Sequence, residues 1–126
     1  MFDDPGGPIT HFEWASFTIN GQIHSVEQGV GKDIMFSAEG VSAWKEREGH
    51  DLKPKMVARA LALKPKVLVI GNGMDGALKV GKKVRKAVEE AGVSELIVLR
   101  TPDACHAYNR LYREGKKVVL LAHGTC

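Results

Sequence analysis

Polar and hydrophobic residues alternate with a period of two in the first third of the chain, which is typical of β-strands. Aromatic and aliphatic side chains alternate with polar ones between Phe12 and Ile19. The dipeptide Asn20-Gly21 follows, and it favours a type I′ hairpin because both of its positions tolerate a positive φ. We therefore predict an N-terminal β-meander, with a third strand over residues 33–38 and a fourth over residues 41–44.

The period becomes helical after Pro54, a residue that the first turn of a helix accepts, with Asp51 nearby as a plausible cap. Short apolar strands then alternate with helices. Helical periodicity resumes near Lys82, where we predict the second helix. The sequence Thr101-Pro102-Asp103 is typical of the start of a third helix, with an N-cap, a first-turn proline and a first-turn acid. The predicted apolar strands are Val67–Ile70, Leu96–Leu99 and Val118–Leu121.

Alternating strands and helices predict an α/β domain with parallel pairing in its C-terminal part. The strands of that part are apolar throughout, as in a sheet that is covered on both faces. We predict one α/β domain over residues 10–126, a length that suits a single core. Residues 1–9 are rich in Gly, Pro and Asp, and we expect them to be loose.

Composition narrows the class of protein. Eighteen basic residues against 15 acidic ones give a formal charge of +3, too weak an excess to indicate nucleic-acid binding. Two cysteines are too few for a disulfide scaffold. No stretch approaches the ~18 apolar residues of a membrane span, and the N-terminus resembles no targeting peptide. We expect a cytoplasmic protein that binds neither membrane nor nucleic acid.

Gly71, Gly73 and Gly76 form a G-x-G-x-x-G spacing directly after a predicted strand. This spacing is used by dinucleotide-binding turns, where a helix begins at the second glycine. Here helical periodicity resumes only near Lys82, and the following strand leads to Arg100 instead of an acid. We interpret the motif as a tight turn at a ligand or partner surface, with glycine supplying positive φ and close packing, and we expect no cofactor.

The candidate nucleophile is Cys105, because a thiolate near a helix N-terminus is stabilised by the helix dipole. An inert buried side chain is the commoner role of a free cysteine. His123 and Cys126 form an H-x-x-C, and Cys105-His106 could complete a set of four zinc-type ligands if the fold brought them together. The spacing matches no recognised zinc motif, so we expect no metal site.

A further set of residues carries a family resemblance. These segments are Trp44 with Arg47–His50, Val67–Gly73, Gly76–Leu78 with Gly81, Thr101–Cys105 with Tyr108-Asn109, Gly115, and His123–Cys126. From about Phe17 to Cys126 the chain resembles a family of small single-domain proteins long labelled a domain of unknown function. That family includes the adipogenesis-associated protein and the mitochondrial complex I assembly factor of animals.

The resemblance implies a three-layer domain with a central mixed sheet, helices on both faces and an added β-hairpin. It implies no settled enzymatic activity, since family members are described through what they assemble with or regulate. We therefore expect a non-enzymatic module that binds a protein partner or ligand, with a homodimer as one option. The candidate binding surface comprises Trp44, Arg47, His50, Gly71, Gly73, Met74 and Gly76. The alternative is a small redox or nucleotide-handling enzyme that uses Cys105 or the glycine turn.

Overall fold

The computed structural model describes residues 1–126, which form nine strands and three helices. The strands are β1 (Phe2–Asp3), β2 (Ile9–Glu13), β3 (Ser16–Ile19), β4 (Gln22–Ser25), β5 (Ile34–Ser37), β6 (Gly40–Ala43), β7 (Val67–Gly71), β8 (Glu95–Leu99) and β9 (Val118–Ala122). The helices are α1 (Pro54–Ala62), α2 (Lys82–Glu90) and α3 (Thr101–Arg113). None of the three helices has the length and apolar character that crossing a bilayer requires.

The central sheet has five strands in the order β6-β5-β9-β7-β8. Strands β8 and β9 both pair parallel to β7, whereas β5 pairs antiparallel to β9 and to β6. The prediction of an α/β domain with a central mixed sheet is confirmed. Because β7 and β9 run parallel, the residues that follow Gly71 and Ala122 lie at the same end of the sheet, where the carboxyl ends of both strands meet.

The predicted N-terminal meander is divided between two sheets. Strands β1 to β4 form a separate antiparallel sheet, while β5 and β6 extend the central one. The hairpin at Asn20-Gly21 is confirmed, with φ of 50° and 82° and with β3 and β4 paired on either side of it. The pattern of alternation alone could not reveal this division, because it depends on the pairing of β5 with β9, which is far away in the sequence.

The central sheet is covered on both faces. Along β7, Val67 and Val69 pack toward α3 and the small antiparallel sheet, whereas Leu68 and Ile70 pack toward α1 and α2. The same alternation runs along β9, so each strand contributes to two separate hydrophobic clusters. Continuous apolar sequence was therefore the correct signal for a strand covered on both sides.

The first nine residues, which we expected to be loose, include strand β1 and the buried side chain of Phe2. Asp4 accepts hydrogen bonds from Asn109 and Arg113 of helix α3. A segment rich in Gly, Pro and Asp is thus tied to the helix by side-chain contacts that come from about 100 residues later in the chain.

Asn109 joins helix α3 to the small sheet. Its side chain is fully buried, accepts a hydrogen bond from the Ile9 N–H at 3.0 Å and donates one to the Ile9 carbonyl at 2.7 Å. One amide thereby satisfies both polar groups of a buried residue in β2, which would otherwise carry a desolvation penalty.

We predict that Asn109→Ala lowers the free energy of unfolding by about 2–5 kcal/mol, because it leaves the Ile9 N–H and carbonyl buried without partners. Urea denaturation measures the change. The matched control is Arg110→Ala at the neighbouring exposed position of the same helix, expected within about 0.5 kcal/mol of wild type. Equal losses in the two variants would contradict the role of Asn109.

Candidate functional site

The glycine turn leaves the carboxyl end of β7 and closes against the end of the chain. Gly73 has a φ of 104° and is buried, and a Cβ at this position would overlap the backbone carbonyl group of Cys126. Gly76 also has a positive φ, of 70°. Gly71 does not, but a Cβ there would lie 2.9 Å from the Thr101 Oγ1. The interpretation of the motif as a tight turn that needs glycine is therefore confirmed.

The backbone N–H groups of this turn already have partners. Met74 donates to the Thr125 carbonyl at 2.7 Å, and Ala77 donates to the Cys126 carbonyl at 2.9 Å. The Gly73 N–H donates to the Thr101 hydroxyl at 2.9 Å. In a dinucleotide site, by contrast, the turn and the helix that follows it present free N–H groups to the pyrophosphate. Here the chain's own backbone occupies that position.

Thr101 has a role that differs from the predicted one. It lies inside helix α3, whose N-cap is Arg100 without a side-chain capping bond. Its buried hydroxyl instead donates to the His123 carbonyl at 2.7 Å while accepting from Gly73. Asp51 likewise does not cap helix α1, which begins after Lys53 with no side-chain capping bond. Both polar side chains sit near helix starts, but tertiary contacts determine where the Thr101 hydroxyl bonds.

Asp33 organises the residues after β9. Its Oδ1 lies 2.8 Å from the His123 Nδ1 and accepts the Gly124 N–H at 3.0 Å. Its Oδ2 accepts a hydrogen bond from the Arg47 Nε at 3.2 Å. Burial by itself raises the pKa of the Asp33 carboxyl, but the bonds from His123 and Gly124 and the charge of Arg47 outweigh burial and hold that pKa well below its usual range.

Three potential metal-ligating side chains meet beside this carboxylate. The Cys126 Sγ lies 3.3 Å from the His50 Nε2, and one ligand atom each from His50, His123 and Cys126 lies within 4.8 Å of the others. His50 is exposed, Cys126 is partly exposed and His123 is 1% exposed. Cys105 and His106 do not belong to this group, so the four-ligand set weighed from the sequence does not form.

Several residues of the predicted binding surface lie in the interior. Trp44 is 2% exposed, and its Nε1 donates to the Met56 carbonyl at 2.8 Å, so it belongs to the core beneath α1 and cannot serve as surface. Gly71 and Gly73 are buried as well. Arg47, His50, Met74 and Gly76 keep part or all of their surface accessible, at one end of the sheet.

Cys105 does not fit the reactive thiol that we considered. It is 0% exposed within the cluster that packs α3 on the sheet. Burial raises the pKa of its thiol far above the ordinary value, because an apolar environment disfavours the thiolate. The helix places this side chain on its inward face, where burial outweighs the helix dipole. The inert buried role is the one that the structure supports.

Sequence reasoning missed Asp33 and the role of Thr101. Asp33 precedes a strand and stands in no motif, and it bonds Arg47, His123 and Gly124, which lie 14 to 91 residues away in sequence. A surface cleft of about 250 Å³ lies elsewhere, near the amino end of β9, and is lined by residues that include Leu63, Tyr112 and Lys117. It contains none of the predicted site residues.

We predict that Gly73→Ala lowers the free energy of unfolding by about 2–4 kcal/mol, because a Cβ meets backbone and the φ is left-handed. Thermal and urea denaturation measure the loss. Gly81→Ala is the matched control, since a Cβ there meets open space and helix α2 begins directly after it.

NADPH and NADH should not raise the melting temperature of wild type. A saturable rise of a few degrees would restore a dinucleotide site.

We also predict that Asp33→Asn reduces the loss of stability in acid. The folded pKa of Asp33 lies below the unfolded value of about 3.9, so the unfolded state binds the proton first. The stabilisation is therefore complete above about pH 5 and is lost as pH falls through the folded pKa. Urea titrations between pH 6 and pH 2.5 measure it. Asp75→Asn, at an exposed position, should keep the wild-type slope, and equal slopes in all three proteins would refute the prediction.

Known structures share this fold. A conserved hypothetical protein from Pyrococcus horikoshii superposes with a TM-score of 0.77 at 23% identity, covering 94% of this chain and 98% of that one. A protein from Bartonella henselae, described as an outer membrane protein, gives 0.76 at 21% identity over 94% and 95% of the two chains. A Mth938-like domain from Bordetella pertussis gives 0.65 at 19% identity over 98% and 91%.

Sequence comparison agrees with the fold. The model of a family described as "Protein of unknown function (DUF498/DUF598)" matches residues 9–123. The match includes every strand except β1, the glycine turn and all three helices, and it ends at His123 beside Asp33. The chain therefore belongs to the DUF498/DUF598 family of proteins of unknown function.

Proposed function

We propose that this chain is a non-enzymatic module that binds a partner protein through the open edge of its central sheet. The family that it resembles, that of the adipogenesis-associated protein and the mitochondrial complex I assembly factor, is described through what its members assemble with. The observation that carries the proposal is strand β8, an edge strand of sequence Glu-Leu-Ile-Val-Leu whose last four residues are all partly exposed.

The open edge of β8 can be assigned to individual residues. The Glu95 N–H donates to the Lys66 carbonyl and the Leu99 carbonyl accepts from the Asn72 N–H, so residues 95, 97 and 99 direct their backbone groups toward β7. The backbone N–H and C=O groups of successive residues in a strand point to opposite sides, so those of Leu96 and Val98 point away from β7. No turn or loop hydrogen bond involves these two residues. A partner strand would find two donors and two acceptors there.

The opposite edge of the sheet is protected. Strand β6 is short, and Arg59 of helix α1 donates to the Ala43 carbonyl at 2.6 Å and to the Ser42 hydroxyl at 2.8 Å. Glu46 holds this guanidinium in place through two further bonds. Natural proteins block exposed edges in such ways because an open apolar edge pairs with other chains. Strand β8 has no comparable cover, which favours it as the docking edge.

The end of β8 leads to the accessible part of the predicted surface. Arg100 follows the strand and is exposed, and its Nε would lie 3.6 Å from a Cβ at Gly76. The edge and the residues Met74 and Gly76 can therefore contact one partner together. An extended apolar segment is the expected ligand, because main-chain pairing supplies affinity and side-chain pockets supply specificity.

The alternative, a redox or nucleotide-handling enzyme, has little support in this geometry. Cys105 is buried, and the N–H groups of the glycine turn are bonded to residues 125 and 126. The modest charge of +3 likewise favours a protein partner over a nucleic acid.

Val98→Pro tests the proposal, because proline removes the outward N–H and is tolerated on edge strands. The matched control is Val98→Thr, which keeps the N–H and the branched shape. Tagged wild type and both variants are purified from native cells, and stoichiometric partners are quantified by mass spectrometry. We expect wild type and Val98→Thr to retain one partner and Val98→Pro to lose it, with all three showing native circular dichroism.

Light scattering after size-exclusion chromatography identifies the case in which the partner is a second copy, since the particle mass is then twice 13.7 kDa. A dimer that Val98→Pro converts to monomer supports the docking edge. A wild-type monomer with no stoichiometric partner, or a complex that Val98→Pro leaves intact, would overturn the proposal.

A further inference from the structure

The three side chains beside Asp33 carry an inference that is independent of the docking edge. We propose that His50, His123 and Cys126 form a binding site for one divalent transition-metal ion of the zinc type, with a fourth position open to water. His50 lies in the loop between β6 and α1. His123 and Cys126 lie in the segment that follows β9. The ligand atoms, which come from two segments far apart in the sequence, lie within 4.8 Å of one another.

The spacing suits tetrahedral coordination. A zinc ion with Zn–S of about 2.3 Å and Zn–N of about 2.0–2.1 Å holds its ligand atoms about 3.3–3.6 Å apart. The Cys126 Sγ and the His50 Nε2 are already 3.3 Å apart. The remaining separations, at most 4.8 Å, close through side-chain rotation, which the accessible His50 and Cys126 permit.

The buried ligand is already oriented. The His123 Nδ1 lies 2.8 Å from the Asp33 Oδ1, and this carboxylate oxygen accepts the Nδ1–H. This leaves the lone pair of the His123 Nε2 for a metal, and its present contact is a longer one of 3.3 Å to the Thr125 hydroxyl. A carboxylate that orients a ligating histidine through its other nitrogen is the usual outer partner in metal sites.

The backbone around the ligands is also fixed. The His50 carbonyl accepts from the Lys79 N–H at 2.7 Å, and the Cys126 carbonyl accepts from Ala77 at 2.9 Å. Between the ligands, Gly124 donates to Asp33, and a Cβ at Gly124 would overlap the Lys32 carbonyl. Folding therefore already fixes the backbone positions of the ligands, so binding a metal ion costs less conformational entropy.

The ligand types select the class of ion. One thiolate and two imidazoles suit zinc, cobalt and copper, whereas magnesium and calcium require oxygen ligands. The sulfur would bind such an ion as a thiolate and the two imidazoles as neutral rings. Three protein ligands leave one of the four tetrahedral positions for a water molecule.

The test uses the untagged full chain in a thiol-free reductant. Zinc is titrated by calorimetry, and cobalt is titrated while the visible and near-ultraviolet spectra are recorded. We expect one ion per chain, with a sulfur-to-cobalt charge-transfer band and the intense visible bands of four-coordinate cobalt. His50→Ala and Cys126→Ser should each weaken binding at least tenfold, and Cys126→Ser should abolish the charge-transfer band.

The matched control is His106→Ala, which removes an exposed histidine outside the cluster and should bind like wild type. Thermal melting of each apo variant verifies that the fold is retained, and both ligand substitutions lie at accessible positions. Absence of stoichiometric zinc and cobalt binding by wild type would overturn the proposal. So would unchanged affinity in His50→Ala and Cys126→Ser, or bound cobalt without a sulfur charge-transfer band.

Discussion

The arrangement at the carboxyl end of β7 and β9 depends on the hydrogen bonds of the Asp33 carboxylate. It fixes His123 and Gly124 on one side and Arg47 on the other. With the segment after β9 held there, the carbonyls of Thr125 and Cys126 meet the N–H groups of the glycine turn. Thr101 completes the same structure from helix α3. Strand ends, turn and loop thus form one hydrogen-bonded unit built around the partly buried Asp33 carboxylate.

Much of the architecture could be predicted from the sequence, since periodicity reports burial directly. The apolar strands β7, β8 and β9, the Asn20-Gly21 hairpin and the late start of α2 all express local rules. The division of the N-terminal strands between two sheets follows from long-range pairing of β5 with β9, which no local pattern encodes. The positions of the strands could therefore be predicted from the sequence, whereas the pairing between them could not.

The candidate site was harder to predict for the same reason. His50 and His123–Cys126 stood out by residue type, but their proximity depends on a fold that joins residues 76 positions apart. Trp44 and Cys105 illustrate the converse: residue type suggested exposed chemistry, and packing placed both in the interior. Asp33 carried no signal at all, because a lone acid before a strand is common and its importance arises only from three distant partners.

The position of β9 at the centre of the sheet has a consequence for how this protein is made. Strands β5 and β7 leave the ribosome before β9, yet β9 lies between them and pairs with both. Until β9 emerges, each neighbour displays an unpaired apolar edge, and such edges are prone to mispairing. The central sheet can therefore form completely only after β9 has emerged, and until then the facing edges of β5 and β7 are open to mispairing.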